Sequence, residues 1–252
     1  MMRVLVLGGT SEASRLVRLL SEARGISATM SFAGRTKAII APPVPYRIGG
    51  FGGVDGLTSY LIAERVDLLV DATHPFAEQI ARHAVIAAER AKIPLVVLSR
   101  PAWVRTDKDN WIDAASMGDA ALALGGASQR VFLTVGRLQI EAFVKAPQHF
   151  YLIRTIEPPE NPLSLPNYRI IHDRGPFAAD AEETLLRENA IDVLVTKNSG
   201  GAAAFAKILA ARKLALLVVM IVRPDAAAGS ALHDPSAAMD VILRHQAALR
   251  GV

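Results

Sequence analysis

An apolar run that ends in a glycine turn, VLVLGGTSEA at residues 4–13, decides the class of fold. Val4 to Leu7 predict a buried strand, and the apolar residues between Ser11 and Glu22 recur with the period of an α-helix. Further strand-like runs, which alternate with helical patterns, lie at residues 28–32, 68–70 and 95–98. Because this alternation is typical of parallel sheets covered by helices on both faces, we expect an α/β fold.

A second α/β cycle follows a short glycine-containing linker at residues 125–128. Its strand-like runs lie at residues 131–135, 150–153, 168–172, 192–196 and 216–222. We therefore predict two Rossmann-like domains with parallel sheets, covering residues 1–128 and 129–252, and an active-site cleft between them. The sequence leaves open which sheet receives the last strand, because a long apolar run can pair with the edge of either domain.

Length and composition exclude several classes of protein. The chain has 252 residues, is 51% hydrophobic, and contains no apolar run of the roughly 18 residues that a membrane helix needs. The amino terminus enters a strand at once, without the regions of a signal peptide, so we expect a soluble cytoplasmic protein with no membrane partner. The absence of cysteine excludes disulfides and cysteine nucleophiles, and the histidines lack the spacing of metal ligands. The net charge of +4 comes without a run of lysine or arginine, so nucleic acid is not an expected partner.

The glycine turn is the first candidate ligand site. Glycine lets a backbone approach a ligand closely, and the N–H groups at a helix start attract a phosphate. The dinucleotide fingerprint has glycines at its first, third and sixth positions, whereas here they occupy the first and second and Ala13 occupies the sixth. The turn therefore indicates either nucleotide binding or a turn closed by glycine for packing reasons. The residues assigned to the cofactor here are Gly8, Gly9, Thr10, Ser11 and Glu12.

The end of the second predicted strand carries basic and hydroxyl residues where a dinucleotide-binding domain meets the adenosine ribose. An acidic residue at this point selects NAD, but the stretch from Ser31 to Lys37 contains none. An arginine accommodates the 2′-phosphate of NADP, so Arg35 favours NADPH as the cofactor, unless Arg35 and Lys37 are ordinary surface charges. The residues assigned to this part of the cofactor site are Ser31, Gly34, Arg35 and Thr36. The glycine-rich loop at residues 47–53 receives no assigned role.

The segment DATHPFA at residues 71–77 predicts a corner between a strand and a helix. Pro75 suits the first turn of a helix, because its missing N–H is no loss there. In an open parallel sheet such corners line the crevice where ligands bind. We therefore assign the cofactor four residues of this corner, Thr73, His74, Pro75 and Phe76. The alternative is that Thr73 caps a helix and His74 is merely exposed.

Five cations follow five predicted strands of the second domain, at the sheet edge where ligands bind. They are Arg137, Arg154, Arg174, Lys197 and Arg223. Several such cations would suit a small molecule that carries many carboxylates or phosphates, unless the charges only reflect contact with solvent. The corner TKNSGG at residues 196–201 adds Asn198, Ser199 and Gly200 as further donors at an expected helix start. All eight, counting the five cations and these three residues, are assigned to the substrate.

The chain resembles the precorrin-6A reductase family of cobalamin biosynthesis over nearly its whole length. The motifs that carry the resemblance are GGTSEA at residues 8–13, GRT at 34–36, DATHPFA at 71–77, GPF at 175–177 and KNSGG at 197–201. The resemblance implies an NADPH-dependent reduction of one carbon–carbon double bond in a linked-pyrrole macrocycle, which gives precorrin-6B. Whether the macrocycle contains cobalt is left open.

The resemblance also implies a role for each group of residues. The glycine turn, with Arg35 and Thr36, should hold the phosphates of NADPH, and the corner at residues 73–76 should border the nicotinamide. The second domain should bind the carboxylates of a polycarboxylate tetrapyrrole, and the product would be handed to the next enzyme of the pathway. Lys197 is the candidate catalytic residue, which orients the substrate or relays the proton. A proton taken from solvent would leave Lys197 as a carboxylate anchor only.

Two other functions fit an α/β chain of this kind. A short-chain dehydrogenase or epimerase usually needs a tyrosine followed four residues later by lysine, and none of the four tyrosines here has that spacing. A non-catalytic nucleotide sensor would bind its ligand in the first domain alone. The cations of the second domain would then be surface charge.

Overall fold

The chain folds into two α/β units, each built on its own parallel sheet. The computed structural model describes residues 1–34, 40–159, 161–224 and 231–251. The first unit comprises Met1–Pro101 and Pro224–Val252, and the second comprises Ala102–Arg223. The prediction of an α/β fold with two parallel sheets is confirmed.

Strands and helices alternate along both units. The strands are β1 (Met2–Leu7), β2 (Ile26–Phe32), β3 (Tyr46–Ile48), β4 (Leu68–Asp71), β5 (Leu95–Val97), β6 (Trp111–Ala114), β7 (Arg130–Thr134), β8 (Phe150–Thr155), β9 (Tyr168–His172), β10 (Val193–Lys197) and β11 (Leu217–Ile221). The helices are α1 (Ser11–Glu22), α2 (Gly53–Ala63), α3 (Glu78–Ala91), α4 (Met117–Leu122), α5 (Ala179–Glu188), α6 (Ala206–Lys213) and α7 (Pro235–Arg250), with a 3₁₀ helix at Arg137–Lys145.

The first sheet has the strand order β3-β2-β1-β4-β5, and its strands are parallel. Alternate residues of β1 point to opposite faces, as the pleat of a strand requires. Val4 and Val6 pack in one core with α1 and α7, and Leu5 and Leu7 pack in another with α2 and α3. The order reverses between β1 and β4, so the turn after β1 and the corner after β4 are neighbours at the point where open sheets bind ligands.

The second sheet has the strand order β6-β11-β10-β7-β8-β9, again with parallel pairing throughout. The last strand, β11, therefore belongs to this sheet and lies between β6 and β10. A core of the second unit is built from apolar side chains of the sheet together with Leu186 of α5, Ile208 of α6 and the tryptophans Trp103 and Trp111. The order reverses between β7 and β10, which brings the segments after those two strands together.

The structure divides the chain differently from the predicted boundary at residue 128. Residues 102–128 belong to the second unit, because β6 pairs with β11. The chain returns to the first unit from Pro224, where Leu232 bridges to Leu98 beside β5 and α7 packs against α1. These pairings join segments that are far apart in sequence, so the composition of the linker could not reveal them.

Two absences hold for the described ranges of the chain. None of their helices has both the length and the apolar character that crossing a membrane requires. They also contain no cluster of three or more histidine, cysteine, aspartate or glutamate residues placed to hold a metal ion.

A buried ion pair fixes α6 to the segment that precedes β6. Asp109 accepts hydrogen bonds from Arg212 Nε and Nη2 at 2.9 and 3.0 Å, and from the amide and hydroxyl of Thr106 at 2.9 and 2.7 Å. Burial alone would raise the pKa of Asp109, but these hydrogen bonds outweigh it and lower the pKa. The ion pair therefore stabilises the fold in the ionised form of Asp109.

We predict that Asp109→Asn lowers the free energy of unfolding by about 3 kcal/mol at neutral pH, because it breaks a buried pair and leaves Arg212 uncompensated. A lowered pKa in the folded state means that this contribution is present above the ordinary aspartate pKa and is lost as the pH falls below it. Chemical denaturation at neutral and acidic pH measures both effects. Asp113→Asn, on an exposed residue of β6, is the matched control and should change little. Equal losses in the two variants would contradict the prediction.

Candidate functional site

The glycine turn after β1 is held by the side chain of Thr10. Thr10 caps α1, since its Oγ1 accepts a hydrogen bond from Ala13 N at 3.1 Å. The same hydroxyl donates to the carbonyl of Ala72, beyond β4, at 2.7 Å. Gly9 has a φ of 118°, which favours glycine, and a Cβ on Gly8 would lie 2.4 Å from the Met30 side chain. The turn is thus fixed to the corner after β4, and its two glycines leave the backbone without covering side chains.

Glu12, at the start of α1, is held inside the protein. It accepts a hydrogen bond from Ser11 Oγ at 3.0 Å and lies 3.6 Å from Arg100 Nε, in a pair whose side chains are 12% and 15% exposed. The Glu12 carboxylate is therefore engaged by neighbouring side chains, and the assignment of Glu12 to the cofactor stays a prediction. Sequence reasoning missed Arg100, which follows β5 and carries no motif.

The end of β2 is organised by Arg47 of β3. Its Nη1 donates to Ser31 Oγ at 2.8 Å and to the carbonyl of Gly49 at 2.9 Å, and its Nη2 donates to the carbonyl of Gly50 at 2.9 Å. The guanidinium lies 3.9 Å from the centre of the Phe51 ring. Ser31 Oγ thus accepts a hydrogen bond from Arg47, and its own hydroxyl hydrogen can still be donated.

Three other residues near the end of β2 were assigned to the cofactor, and the structure describes one of them, Gly34. Gly34 has a φ of 76°, a conformation that favours glycine. Arg35 and Thr36, assigned to the cofactor from the sequence, lie outside the residues that the structure describes. Arg47 had no role predicted from the sequence, although an arginine directly before a glycine-rich loop indicates an anchor for that loop.

The corner after β4 is a turn built on Asp71. Its buried Oδ1 accepts hydrogen bonds from the amide and the hydroxyl of Thr73, at 3.0 and 2.7 Å. Burial raises the pKa of Asp71, and the two hydrogen bonds from Thr73 oppose that shift. Thr73 is therefore part of a turn and does not cap a helix.

His74 and Pro75 lie within this turn, so the expectation that Pro75 begins a helix is wrong. The carbonyl of His74 accepts from Ala77 N at 2.7 Å, and its Nδ1 accepts from Phe76 N at 3.2 Å, so α3 begins only at Glu78. With Nδ1 as the acceptor, a neutral His74 carries its proton on Nε2. The rings of His74 and Phe76 are 5.9 Å apart.

In the second unit, Lys197 joins the two segments at the strand reversal. Its Nζ donates to Gln139 Oε1 at 2.8 Å, and the same oxygen accepts from Gly136 N at 3.1 Å. Arg137, half-buried, begins the 3₁₀ helix beside this contact. Lys197 and Arg137 therefore follow adjacent strands, β10 and β7, as the strand-end pattern predicts.

The loop after Lys197 is clamped from two sides. Asn198 accepts from Trp103 N at 2.8 Å and donates to Trp103 O at 3.0 Å, and Trp103 Nε1 donates to Gly201 O at 2.9 Å. Arg223 donates to the carbonyls of Asn198 and Ser199, at 2.8 and 2.9 Å. The side chain of Asn198 and the two bonds from Arg223 thus shape the loop, and the assignment of both residues to the substrate stays a prediction.

The expected helix start at Gly201 is also wrong. Gly200 and Gly201 have φ of 67° and 73°, left-handed conformations that do not continue a helix. Helix α6 begins only at Ala206. The donors of this loop are therefore backbone groups of a glycine turn and are not the N–H groups of a helix.

Arg154 and Arg174 have contrasting environments. Arg154 is 9% exposed and binds both carboxylate oxygens of Glu182, at 3.0 and 2.7 Å, with the Phe177 ring 4.2 Å from its guanidinium. Arg154 is therefore paired within the second unit, and its assignment to the substrate stays a prediction. Arg174 follows β9 and is exposed, with its amide bound to Asp173 Oδ1 at 2.8 Å. The five predicted cations thus divide into an internal group and a group at the surface of the sheet edge.

The structure thus has two α/β units with parallel sheets, a glycine turn at one strand reversal and cations at the other. The family model described as "Precorrin-6x reductase CbiJ/CobK" matches residues 3–243. The chain belongs to this family.

Individual relatives support the same relationship. A "Precorrin-6A reductase" from Rhodobacter capsulatus is 45% identical over 252 residues, which is 100% of both chains. A solved structure titled "CobK precorrin-6A reductase" is 44% identical, with a TM-score of 0.92 over 97% of both chains. A "Cobalt-precorrin-6A reductase" from Priestia megaterium is 28% identical over 88% of this chain and 90% of the relative.

We predict that Thr10→Val lowers the free energy of unfolding by about 2 kcal/mol, because it removes a helix cap and leaves the Ala72 carbonyl buried without its partner. It should also weaken NADPH binding, since the turn and the corner lose their common hydrogen bond. Denaturation and fluorescence titration measure the two effects. Ser116→Ala removes the equivalent cap of α4 in the second unit and should affect stability alone. If both variants weakened NADPH binding equally, the turn would not be the cofactor site.

Proposed function

We propose that the protein is a precorrin-6A reductase, which reduces one carbon–carbon double bond of the precorrin-6A macrocycle and gives precorrin-6B in cobalamin biosynthesis. The observation that carries this proposal is the 45% identity to a precorrin-6A reductase over the full length of both chains. The glycine turn, the corner and the strand-end cations support it, because each suits one part of such a reduction.

The cofactor is a nicotinamide dinucleotide, as expected for a reductase of this family, and we assign it as NADPH. The amides of the turn at Gly8 and Gly9 and the start of α1 suit the cofactor phosphates. The Ser31 hydroxyl, oriented by Arg47, and the Arg35 guanidinium suit the 2′-phosphate. When bound, the reduced nicotinamide supplies a hydride.

The corner at Thr73, His74, Pro75 and Phe76 borders the nicotinamide in this proposal. It is supported by the position of the corner at the strand reversal, beside the glycine turn to which Thr10 binds it. Its internal hydrogen bonds give it a fixed shape, so it can exclude water from the ring. His74 is assigned a binding role here, in which its ring helps to shape the corner beside the nicotinamide.

The second unit binds the tetrapyrrole carboxylates. Arg137, Arg174 and Lys197 contact substrate directly, together with the Ser199 and Gly200 backbone. Arg154, Asn198 and Arg223 act through the elements that they hold in place. Guanidinium and ammonium groups at one sheet edge suit a substrate with several carboxylates.

The reaction delivers a hydride to one ring carbon and a proton to its neighbour. A conjugated macrocycle is already an electrophile, so the protein needs no nucleophile and contributes alignment and exclusion of water. Lys197 is the candidate catalytic residue, because it is the cation at the centre of the strand reversal. It orients the substrate or relays the proton.

The cobalt-free macrocycle is the proposed substrate. The chain is 45% identical to the precorrin-6A reductase of Rhodobacter capsulatus but 28% identical to the cobalt-precorrin-6A reductase of Priestia megaterium. The test is a turnover assay of the purified protein with NADPH and either precorrin-6A or cobalt-precorrin-6A. We expect NADPH oxidation and formation of the reduced macrocycle with the cobalt-free substrate. Oxidation with the cobalt form alone would reverse the substrate assignment, and no oxidation with either would favour a nucleotide sensor.

Arg35→Ala tests the assignment of the 2′-phosphate. We expect the preference for NADPH over NADH in kcat/KM to fall roughly tenfold to a hundredfold, the value of a lost charge-assisted hydrogen bond. Steady-state kinetics with both cofactors gives the ratio. Arg18→Ala, on an exposed residue of α1, is the control and should leave the ratio unchanged. An unaltered preference in Arg35→Ala would refute the assignment.

A further inference from the structure

Lys207 is a buried lysine that the reaction described above does not use. It lies in the first turn of α6 and is 7% exposed. Within the described part of the chain, its ammonium contacts the ring of Trp103, whose centre is 5.4 Å away, and has no hydrogen-bonding partner. A methionine would fill similar space without the cost of removing a charge from water.

The charged groups that face Lys207 leave it uncompensated. They are Glu182 on α5, Arg154 on β8 and Lys197 on β10. Glu182 is the one acid among them, and both of its carboxylate oxygens are bound by Arg154. Burial is the main cause that lowers the pKa of Lys207 to about 8; Glu182 opposes this shift, and Arg154 and Lys197 contribute to it. Lys207 and Arg154 share the single negative charge of Glu182, so the cluster of Lys207, Arg154 and Glu182 carries excess positive charge.

Lys207 is connected to the loop that follows Lys197. The Trp103 ring beside the ammonium donates its Nε1 hydrogen to Gly201 O, at 2.9 Å, and the Trp103 backbone is bound on both sides by Asn198. The excess charge thus lies next to the segment that carries the proposed substrate contacts.

We propose that Lys207 is a positioning residue for substrate, whose uncompensated charge draws one carboxylate of the macrocycle to the Lys197 edge of the second sheet. This inference rests on the proposed function, because the ligand is the polycarboxylate macrocycle. Lys207 acts through the field of the cluster, and the bound carboxylate supplies the negative charge that the cluster lacks. No proton passes from Lys207 to the ring carbon.

The first test compares substrate KM and kcat in Lys207→Met and Lys207→Arg. A unit charge acting over about 10 Å, at an effective dielectric constant of about 20, changes an equilibrium constant on the order of tenfold. We therefore expect Lys207→Met to raise the KM for precorrin-6A about tenfold with little change in kcat, and Lys207→Arg to retain the low KM. Lys213→Met is the matched control, because Lys213 is an exposed lysine of the same helix that pairs with Glu183.

The dependence of KM on pH separates a charge effect from a packing effect. In the native protein, KM should rise above about pH 8, because the charged form of Lys207 is lost there. The rise should be absent in Lys207→Arg, which stays charged, and in Lys207→Met, whose KM is high throughout. A native pH profile in Lys207→Met, or a loss of kcat at unchanged KM, would overturn the proposal.

Binding of uroporphyrin, a polycarboxylate tetrapyrrole, in the absence of NADPH gives a second readout. Weaker binding by Lys207→Met, restored in Lys207→Arg, supports the proposal even in a protein without turnover. Equal binding by all variants refutes it. If the native protein turns over precorrin-6A while Lys207→Met keeps its KM, this inference fails and the proposed function stands. If the native protein does not turn over either macrocycle, the proposed function fails separately.

Discussion

The hydroxyl of Thr10 makes two hydrogen bonds on which the arrangement of the first unit depends. By accepting from Ala13 N it begins α1, and by donating to Ala72 O it fixes that beginning to the neighbouring strand. One buried side chain thus connects the turn after β1 with the corner after β4. The strand reversal brings those two segments side by side, and Thr10 determines their spacing. A bare glycine turn can stay in a defined shape because a side chain next to it is fully engaged.

In the second unit, a glycine-containing loop is also held by hydrogen bonds from side chains outside it. The loop after Lys197 contains two glycines in left-handed conformations and would be poorly defined alone. Trp103, Asn198 and Arg223 bind its carbonyl groups and hold it. Arg154 and Glu182 form a buried ion pair, whereas Lys197 lies at the end of its strand. Among the described residues, Lys207 has no carboxylate of its own, because Glu182 is bound by Arg154. An anionic substrate would complete this arrangement.

The sequence predicted the features that depend on local pattern. Alternating strands and helices gave the two parallel sheets, and the glycine turn and the DATHPFA corner were placed at what proves to be a strand reversal. Features that depend on distant partners could not be predicted. Glu182 follows Arg154 by 28 residues, so a strand-end arginine gave no sign of its internal pairing. Pro75 suited a helix start by its own chemistry. In the structure, however, the Asp71 carboxylate accepts from the Thr73 amide, the segment forms a turn, and the helix begins only at Glu78.

The end of β2, which the sequence assigned to the cofactor, illustrates the same limit. Arg35 was conspicuous because the motif places an arginine there, whereas Arg47 belongs to a different strand. Its bond to Ser31 exists because β3 pairs beside β2. Local motifs therefore indicated which strand ends to assign to ligands, and sheet pairing decided which side chains lie at those ends.

The discontinuity of the first unit has a consequence for how the chain is made. The second unit is one uninterrupted segment, inserted between β5 and the return of the chain that leads to α7. During synthesis from the amino terminus, the second unit is fully available before α7 emerges to cover α1. Until then the apolar face of α1 that receives Ala238 and Ile242 is without its cover. The first unit, though begun first, is therefore completed only after the second unit, once α7 has been synthesised.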